Sequence, residues 1–199
     1  MKVSEQKAFG FVAENQQLLH NKAVYISNWL SCKQGVTDPN DLASRDARIG
    51  DEFYLRNINI RFWMSNKNDR PNVMYKLYLF WYDSALTLSD TICYFTNQNK
   101  MLDRINNEAI SVIDKKTVFS GPSYTTGVAS DPGSAKEHIY LATLNASWKG
   151  KKITYDEGGT VPKKRTLGSI IVCYDAFGTL QSDNIASFAY NARIKFSDP

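Results

Sequence analysis

Residues 48–65 read RIGDEFYLRNINIRFWMS, a stretch that alternates like a β-strand but changes phase halfway. Apolar residues stand at odd positions up to Leu55 and at even positions from Ile58 onward. Because side chains of a strand point to alternate faces, this phase change predicts a β-bulge near residues 56–57. Beyond the bulge, the other face of the strand carries Asn57, Asn59, Arg61 and Trp63.

Seven further segments show the same alternation and are rich in β-branched and aromatic residues. The stretches between them are dense in Gly, Pro, Asn, Asp and Ser, which is typical of turns and loops. Eight strands with long loops predict an all-β fold of two packed sheets, a jelly roll or another Greek-key sandwich. The one segment with helical spacing is 97–109, inside a long gap. The seven segments are residues 22–30, 72–82, 109–119, 137–148, 151–156, 167–177 and 187–196.

Length and composition predict one globular domain. The chain has 199 residues, of which 43% are hydrophobic, 22% charged and 13% aromatic. No apolar run approaches the roughly 20 residues of a membrane helix, and the start lacks the apolar segment of a secretory signal. We therefore expect a soluble, non-secreted protein without membrane contact. Three widely spaced cysteines favour free thiols in a reducing compartment over a disulfide.

Motifs for catalysis or metal binding are absent from the sequence. The two histidines, His20 and His138, lie far from any cysteine and from each other, which argues against a zinc site. No nucleophile-elbow, Walker or dinucleotide fingerprint occurs. The acidic residues near Asp156 and Asp38 are interpreted mainly as turn formers, with a cation site as the alternative. We expect no enzymatic activity, no catalytic residue, no cofactor and no metal.

The basic residues suggest contact with an acidic partner. The net charge of +4 and the pI of about 8.8 permit attraction to nucleic acid without requiring it. Lys163, Lys164 and Arg165 form a basic cluster in a predicted exposed loop, either a solvated turn or a contact with phosphates or an acidic receptor. Along the last strand Arg193 and Lys195 alternate with apolar residues, as Lys76 does on its own strand, so all three cations are predicted on the outer surface of one sheet.

One strand is apolar on both faces. Its odd positions, from Val73 to Trp81, already form a core face, yet Tyr78, Phe80 and Tyr82 occupy even positions. A strand of this kind is covered on both sides, by its own domain or by a neighbour. In a chain without catalytic motifs, we predict a subunit interface that contains Tyr78, Phe80 and Tyr82 together with Arg61 and Trp63.

The order of these motifs resembles the single jelly-roll capsid proteins of small circular, Rep-encoding single-stranded DNA viruses (circovirus-like) and, more distantly, the coat protein of satellite tobacco necrosis virus. The resemblance covers residues 22–199 and implies an eight-stranded jelly-roll sandwich of two four-stranded antiparallel sheets, with at most one short helix. The motifs that carry it are ARIGDEFYLRNINIRFWMS, VMYKLYLFWYDS, SVIDKKTVFSG, ASWKGKKITYD and the closing RIKFSDP.

This resemblance implies a coat protein that self-assembles, with 60 copies in a T=1 icosahedral shell around a single-stranded DNA genome. The protein would reside in the virion, assemble in the host cell, by expectation in the nucleus, and meet a host receptor that the sequence does not identify. Residues 1–21 would form an N-terminal segment facing the shell interior, and residues 22–199 the capsid domain. The predicted nucleic-acid contacts are Lys2, Lys7, Lys22, Lys76, Arg193 and Lys195.

The N-terminus departs from the family pattern. Family members begin with a long Arg-rich arm, whereas the first 30 residues here hold only three lysines. Two explanations stay open, a truncated arm or a virus that packages its genome with few basic residues. The alternative function is an oligomeric carbohydrate- or receptor-binding jelly-roll module, in which Trp63, Trp81 or Trp148 would be a stacking platform.

Overall fold

The computed structural model describes residues 6–35, 46–67, 69–70, 72–119, 138–177 and 180–199. Over these ranges the chain forms eight strands and one short helix, in agreement with the predicted all-β class. In chain order they are β1 (Gln6–Leu19), β2 (Val24–Ile26), β3 (Glu52–Asn66), β4 (Val73–Asp83), α1 (Asp90–Cys93), β5 (Ile110–Phe119), β6 (His138–Thr154), β7 (Arg165–Asp175) and β8 (Asn184–Ser197).

The strands form two four-stranded antiparallel sheets. The first sheet has the order β1-β8-β3-β6, and the second sheet has the order β2-β7-β4-β5. Apart from β4 and β5, strands that follow each other along the chain lie in different sheets, so the connections cross repeatedly between the two layers. This arrangement is a jelly-roll sandwich, as expected from the resemblance.

The core between the sheets follows the alternation in the sequence. The odd positions of β4, from Val73 to Trp81, are buried between the layers, and so are Phe188, Ala192, Ile194 and Phe196 of β8. The predicted bulge is confirmed, because the pairing of β3 with both neighbours shifts between Leu55 and Asn57. The bulge lets Phe53 and Ile58 both enter the core although their spacing is odd.

Two predicted strand segments prove to be one strand. Residues 137–148 and 151–156 were expected to be separated by a turn, but β6 runs without interruption from His138 to Thr154. At the place of the expected turn, the pairing of β6 with β3 shifts at the β3 bulge, and there Gly150 has φ 131°, a conformation that favours glycine. Arg56 links β3 to both neighbouring strands at this bulge, because its guanidinium donates hydrogen bonds to Lys149 O of β6 and to Ser197 Oγ of β8.

Strand β1 lies outside the eight segments that the alternation predicts. Gln6–Leu19 pairs along nearly all of β8, with a bulge between Ala13 and Gln16 where Asn15 has φ 52°. The helix predicted at residues 97–109 is also wrong, since the described helix lies earlier, at Asp90–Cys93. The prediction of unpaired cysteines is confirmed: Cys32, Cys93 and Cys173 are free and buried. Burial raises the pKa of the Cys32 and Cys93 thiols to about 11.

Candidate nucleic-acid interface

Three cross-strand pairs line the outer face of the first sheet. The bulge in β3 turns the polar side chains of its second half outward, and β8 alternates in the same phase. In the antiparallel register each pair joins one cation to one asparagine. We call this set the ladder, and its rungs are Asn57 with Lys195, Asn59 with Arg193, and Arg61 with Asn191.

The ladder lines a shallow concavity of about 520 Å³. The neighbouring strand β6 contributes Asn145, which is paired with Asn59, and completes the lining. No aspartate or glutamate belongs to that lining. Asp114 bonds instead to the edge of β6, where its Oδ2 accepts a hydrogen bond from Asn145 N at 2.8 Å. The positive potential of this surface is therefore not offset by acids within it.

The cations of the ladder have no partner among the described residues. Arg61, Arg193 and Lys195 are exposed, and within the described part of the chain they make no ion pair or side-chain hydrogen bond. Other basic side chains differ: Lys152 Nζ lies 2.7 Å from Glu52 Oε2, and Arg70 pairs with Asp175 at 3.2 Å. The ladder thus holds three charges that remain available to an external anion.

The asparagines fall into two groups. Asn57 Nδ2 donates to Asn145 Oδ1 and to Ala146 O, each at 3.1 Å, so this amide is held in place. The amides of Asn59 and Asn191 make no hydrogen bond with other described residues and are open to a ligand. An amide has both a donor and an acceptor. It therefore matches a ligand group whose edge also has both, whereas a simple anion only accepts hydrogen bonds.

An apolar row continues the ladder. Trp63 follows Arg61 on β3 and stands directly opposite Leu141 of β6 and Ala189 of β8. The exposed fractions are 44% for Trp63 and 81% for Leu141, and Ile139 beyond them is 49% exposed. Adjacent large apolar side chains on a surface indicate a contact with another molecule. The predicted exposure of Arg61 and Trp63 therefore agrees with the structure, while their role in a subunit interface stays a prediction.

The other predicted nucleic-acid residues do not share this surface. Lys7 lies on β1, 2.8 Å from Asp198 Oδ2, and Lys22 is exposed just before β2. Lys76 belongs to the second sheet, where its Nζ donates to Met101 O and burial lowers its pKa. The expectation that Lys76 shares an outer surface with Arg193 and Lys195 is wrong. Lys2 lies outside the described residues.

The aromatic side chains predicted at a subunit interface are covered by the chain itself. Tyr78, Phe80 and Tyr82 are at most 3% exposed, and they lie beneath the segment 88–109, which packs across the outer face of the second sheet. This part of the interface prediction is corrected, because these side chains have almost no free surface. Lys100 holds the covering segment together from within, because its ammonium lies 3.6 Å from Asp103 and over the Tyr94 ring, both in the same segment.

The predicted loop cluster at residues 163–165 is partly engaged. Lys163 Nζ lies 3.4 Å from Asp156 Oδ1, and Arg165 Nη2 donates to Ser111 Oγ at 2.8 Å. Lys164 is exposed. In the described ranges no three His, Cys, Asp or Glu side chains gather as metal ligands would, and no helix there is long and apolar enough to span a membrane.

Sequence reasoning identified part of this site. The outward direction of Asn57, Asn59, Arg61, Arg193 and Lys195 follows from strand alternation alone. Alternation does not predict that these side chains lie side by side, because the pairing of β3 with β8 is set by the order of the strands in the folded sheet. Asn145 had no signal beyond its position in an alternating strand.

No protein-family model matches the chain, and no curated protein is significantly similar to it in sequence. Among solved structures, that of Desmodium yellow mottle tymovirus is similar over 100% of this chain and 90% of that chain, with 10% identity and a TM-score of 0.41. Tomato aspermy virus matches over 98% of this chain and 78% of that chain, at 11% identity and a TM-score of 0.35. The infectious bursal disease virus VP2 subviral particle matches over 96% of this chain and 33% of that chain, at 10% identity and a TM-score of 0.33. The jelly-roll assignment rests on the strand order of this chain.

Proposed function

We propose that this protein is a viral capsid subunit that self-assembles into a small icosahedral shell around a single-stranded DNA genome. Sixty copies would form the T=1 shell, and assembly would take place in the nucleus of the host cell. The protein acts by assembly and not by catalysis. The first sheet faces the genome, and its apolar row contacts a neighbouring subunit.

The observation that carries this proposal is the outer face of the first sheet. Its ladder holds three cations without partners in the described chain, and the exposed pair Trp63–Leu141 continues it. Unpaired cations on a sheet favour a polyanion, since phosphate contacts drive binding that does not depend on sequence. Exposed apolar pairs favour a protein contact. A jelly roll that combines both surfaces has the properties a shell subunit needs.

Negative-stain microscopy with analytical ultracentrifugation of the purified chain tests this proposal. We expect uniform closed particles, whose ratio of absorbance at the nucleic-acid and protein maxima reports captured nucleic acid. Particles that disappear in high salt would identify charge as a main contribution to assembly. A monomer or small oligomer at every salt concentration and pH would contradict the shell.

The alternative is an oligomeric carbohydrate- or receptor-binding module. Only Trp63 keeps this function open, because Trp81 is 5% exposed and its ring stands edge-on to Trp148, with centroids 5.6 Å apart. A sugar that quenches the fluorescence of the wild type but not of a Trp63→Leu variant, in a protein that sediments as a small oligomer, would favour this function over the shell.

A further inference from the structure

Each rung of the ladder combines the same two chemistries. One side chain is a cation that pairs with an anion, and its neighbour is an amide that pairs with a hydrogen-bonding edge. The cation and asparagine occur together three times in succession, and the amide is open to a ligand at the second and third rungs. A ligand that uses every rung must repeat one negative charge and one polar edge per unit, as a nucleotide does.

The spacing of the rungs sets the conformation of such a ligand. Successive outward residues of a strand are two positions apart, about 6.8 Å at a rise of about 3.4 Å per residue. A stacked nucleic-acid strand advances about 3.4 Å per nucleotide, half of this distance. One base per rung therefore requires an extended strand with separated bases, because stacked bases lie only about 3.4 Å apart. A stacked duplex does not match this spacing.

Two further features suit separated bases. The open amides of Asn59 and Asn191 can form paired hydrogen bonds with an adenine edge, at N6 and N7, the usual partner of asparagine. The half-exposed indole of Trp63 lies one row beyond Arg61 and offers a surface on which a base can stack.

We propose that the ladder binds extended single-stranded nucleic acid, one nucleotide per rung, with a preference for adenine and with a terminal base stacked on Trp63. This inference deepens the proposed function and rests on it for the identity of the strand as the packaged genome. Phosphates contact Lys195, Arg193 and Arg61 in turn, crossing from β8 to β3 at the third rung. A sulfated glycan would satisfy the cations but has no planar edge for the amides.

The first experiment measures how binding depends on salt. Fluorescence anisotropy with labelled oligodeoxyadenylate, on free subunits separated from particles, gives the slope of log K against log salt from about 50 to 200 mM. Each phosphate contact with a single strand contributes about 0.7 to this slope. The triple variant Arg61→Gln, Arg193→Gln, Lys195→Gln is expected to lower it by about 2, as three contacts require. The matched control, which removes the same charge from other exposed side chains without a partner in the described chain, is Lys33→Gln, Arg104→Gln, Lys116→Gln.

The second experiment measures base preference. Oligodeoxyadenylate is expected to bind about tenfold more tightly than oligothymidylate, the effect of about one paired amide contact. The double variant Asn59→Ala, Asn191→Ala is expected to lose this preference with an unchanged salt slope. Trp63→Leu is expected to weaken both oligonucleotides about tenfold through lost stacking. Heparin is the competitor that represents a sulfated glycan, and it is expected to compete less well than oligodeoxyadenylate.

The outcomes separate this inference from the proposed function. An unchanged slope in the ladder variant, an equal loss in the control, or heparin competing better than oligodeoxyadenylate would overturn the ladder assignment, even if microscopy shows shells. Failure of the wild type to form shells, with the ladder effects intact, would overturn the capsid proposal alone. Tighter binding of oligoriboadenylate than of oligodeoxyadenylate would contradict the DNA genome and leave the ladder in place.

Discussion

Arg48 is a cation that the fold buries completely. Its guanidinium donates to Gly50 O and, at 2.6 Å, to Gly159 O, and it lies 4.2 Å from the centroid of the Tyr155 ring. One side chain therefore joins the loop before β3 to the loop after β6. A buried charge is tolerated only when such partners replace its water.

We predict that Arg48→Met lowers the free energy of unfolding by about 2 to 4 kcal/mol, because the Gly50 and Gly159 carbonyls lose a charged donor inside the protein. Urea unfolding measures the change. The control is Arg61→Met, since Arg61 is exposed and unpaired in the described chain, and there we expect a change within about 0.5 kcal/mol. Equal effects of the two substitutions would contradict a structural role for Arg48.

His20 makes stability depend on pH. Its Nδ1 accepts a hydrogen bond from Asp175 N at 3.1 Å, and its side chain is almost fully buried. Burial lowers its pKa below the usual 6.5, Arg70 acts in the same direction, and Asp175 and Asp183 oppose it. The folded state therefore binds fewer protons at His20 than the unfolded state does. The stability that neutral His20 contributes is complete above pH 6.5 and is lost as the pH falls towards the lowered pKa.

The variant His20→Asn keeps an acceptor near the Asp175 amide but cannot titrate. We predict that the stability difference between wild type and variant shrinks as the pH falls from about 7.5 to 5, because only the wild type loses stability at His20. Urea unfolding at several pH values isolates this effect, since the carboxylates titrate in both proteins. A difference that is constant with pH would contradict it.

At the scale of the element, β1 shows what alternation predicts poorly. Phe9 points into the core and Val12 outward, but Gly10 and the bulge at Asn15 interrupt the pattern, and GFVAENQQLL shows no sustained period of two. Pairing with β8 makes this segment a strand. The bulge in β3 was predictable because its apolar residues change phase within one strand. Residue propensity and hydrophobic period are properties of a single segment, whereas β1 is a strand because it pairs with β8.

Gly10 gives a test of the contact between β1 and β8. A Cβ at this position would clash with Ala192 O, a backbone atom that cannot move without shifting the sheet. We predict that Gly10→Ala lowers the free energy of unfolding by about 1 to 3 kcal/mol, the usual cost of overpacking. The control is Gly50→Ala, where a Cβ meets nothing within 4 Å. Thermal or urea unfolding that does not distinguish the two would contradict the close pairing of β1 with β8.

At the scale of the whole molecule, the pattern of apolar residues predicts that a face of a strand is buried. It does not predict which segment or subunit buries that face. Alternation predicts that a neighbouring subunit covers Tyr78, Phe80 and Tyr82, but the chain's own segment 88–109 covers them. The candidate site shows the same limit: the outward direction of Arg193 was predictable, but its place beside Asn59 depends on a sheet order set by distant strands. One exposed apolar surface on the first sheet is the row that contains Trp63 and Leu141.

The last prediction tests this row as a contact between subunits. Leu141 is 81% exposed, so Leu141→Asp is expected to change the free energy of unfolding by less than about 0.5 kcal/mol. Assembly is expected to require at least about tenfold more protein, because the new carboxylate must lose its water when a neighbour covers it. Sedimentation velocity over a range of concentrations measures the shift. Leu102→Asp is the matched control, since Leu102 is 77% exposed in the segment over the other sheet. If both variants assemble like the wild type, the row around Trp63 is not a subunit contact, and the Trp63 indole contacts only the nucleic acid.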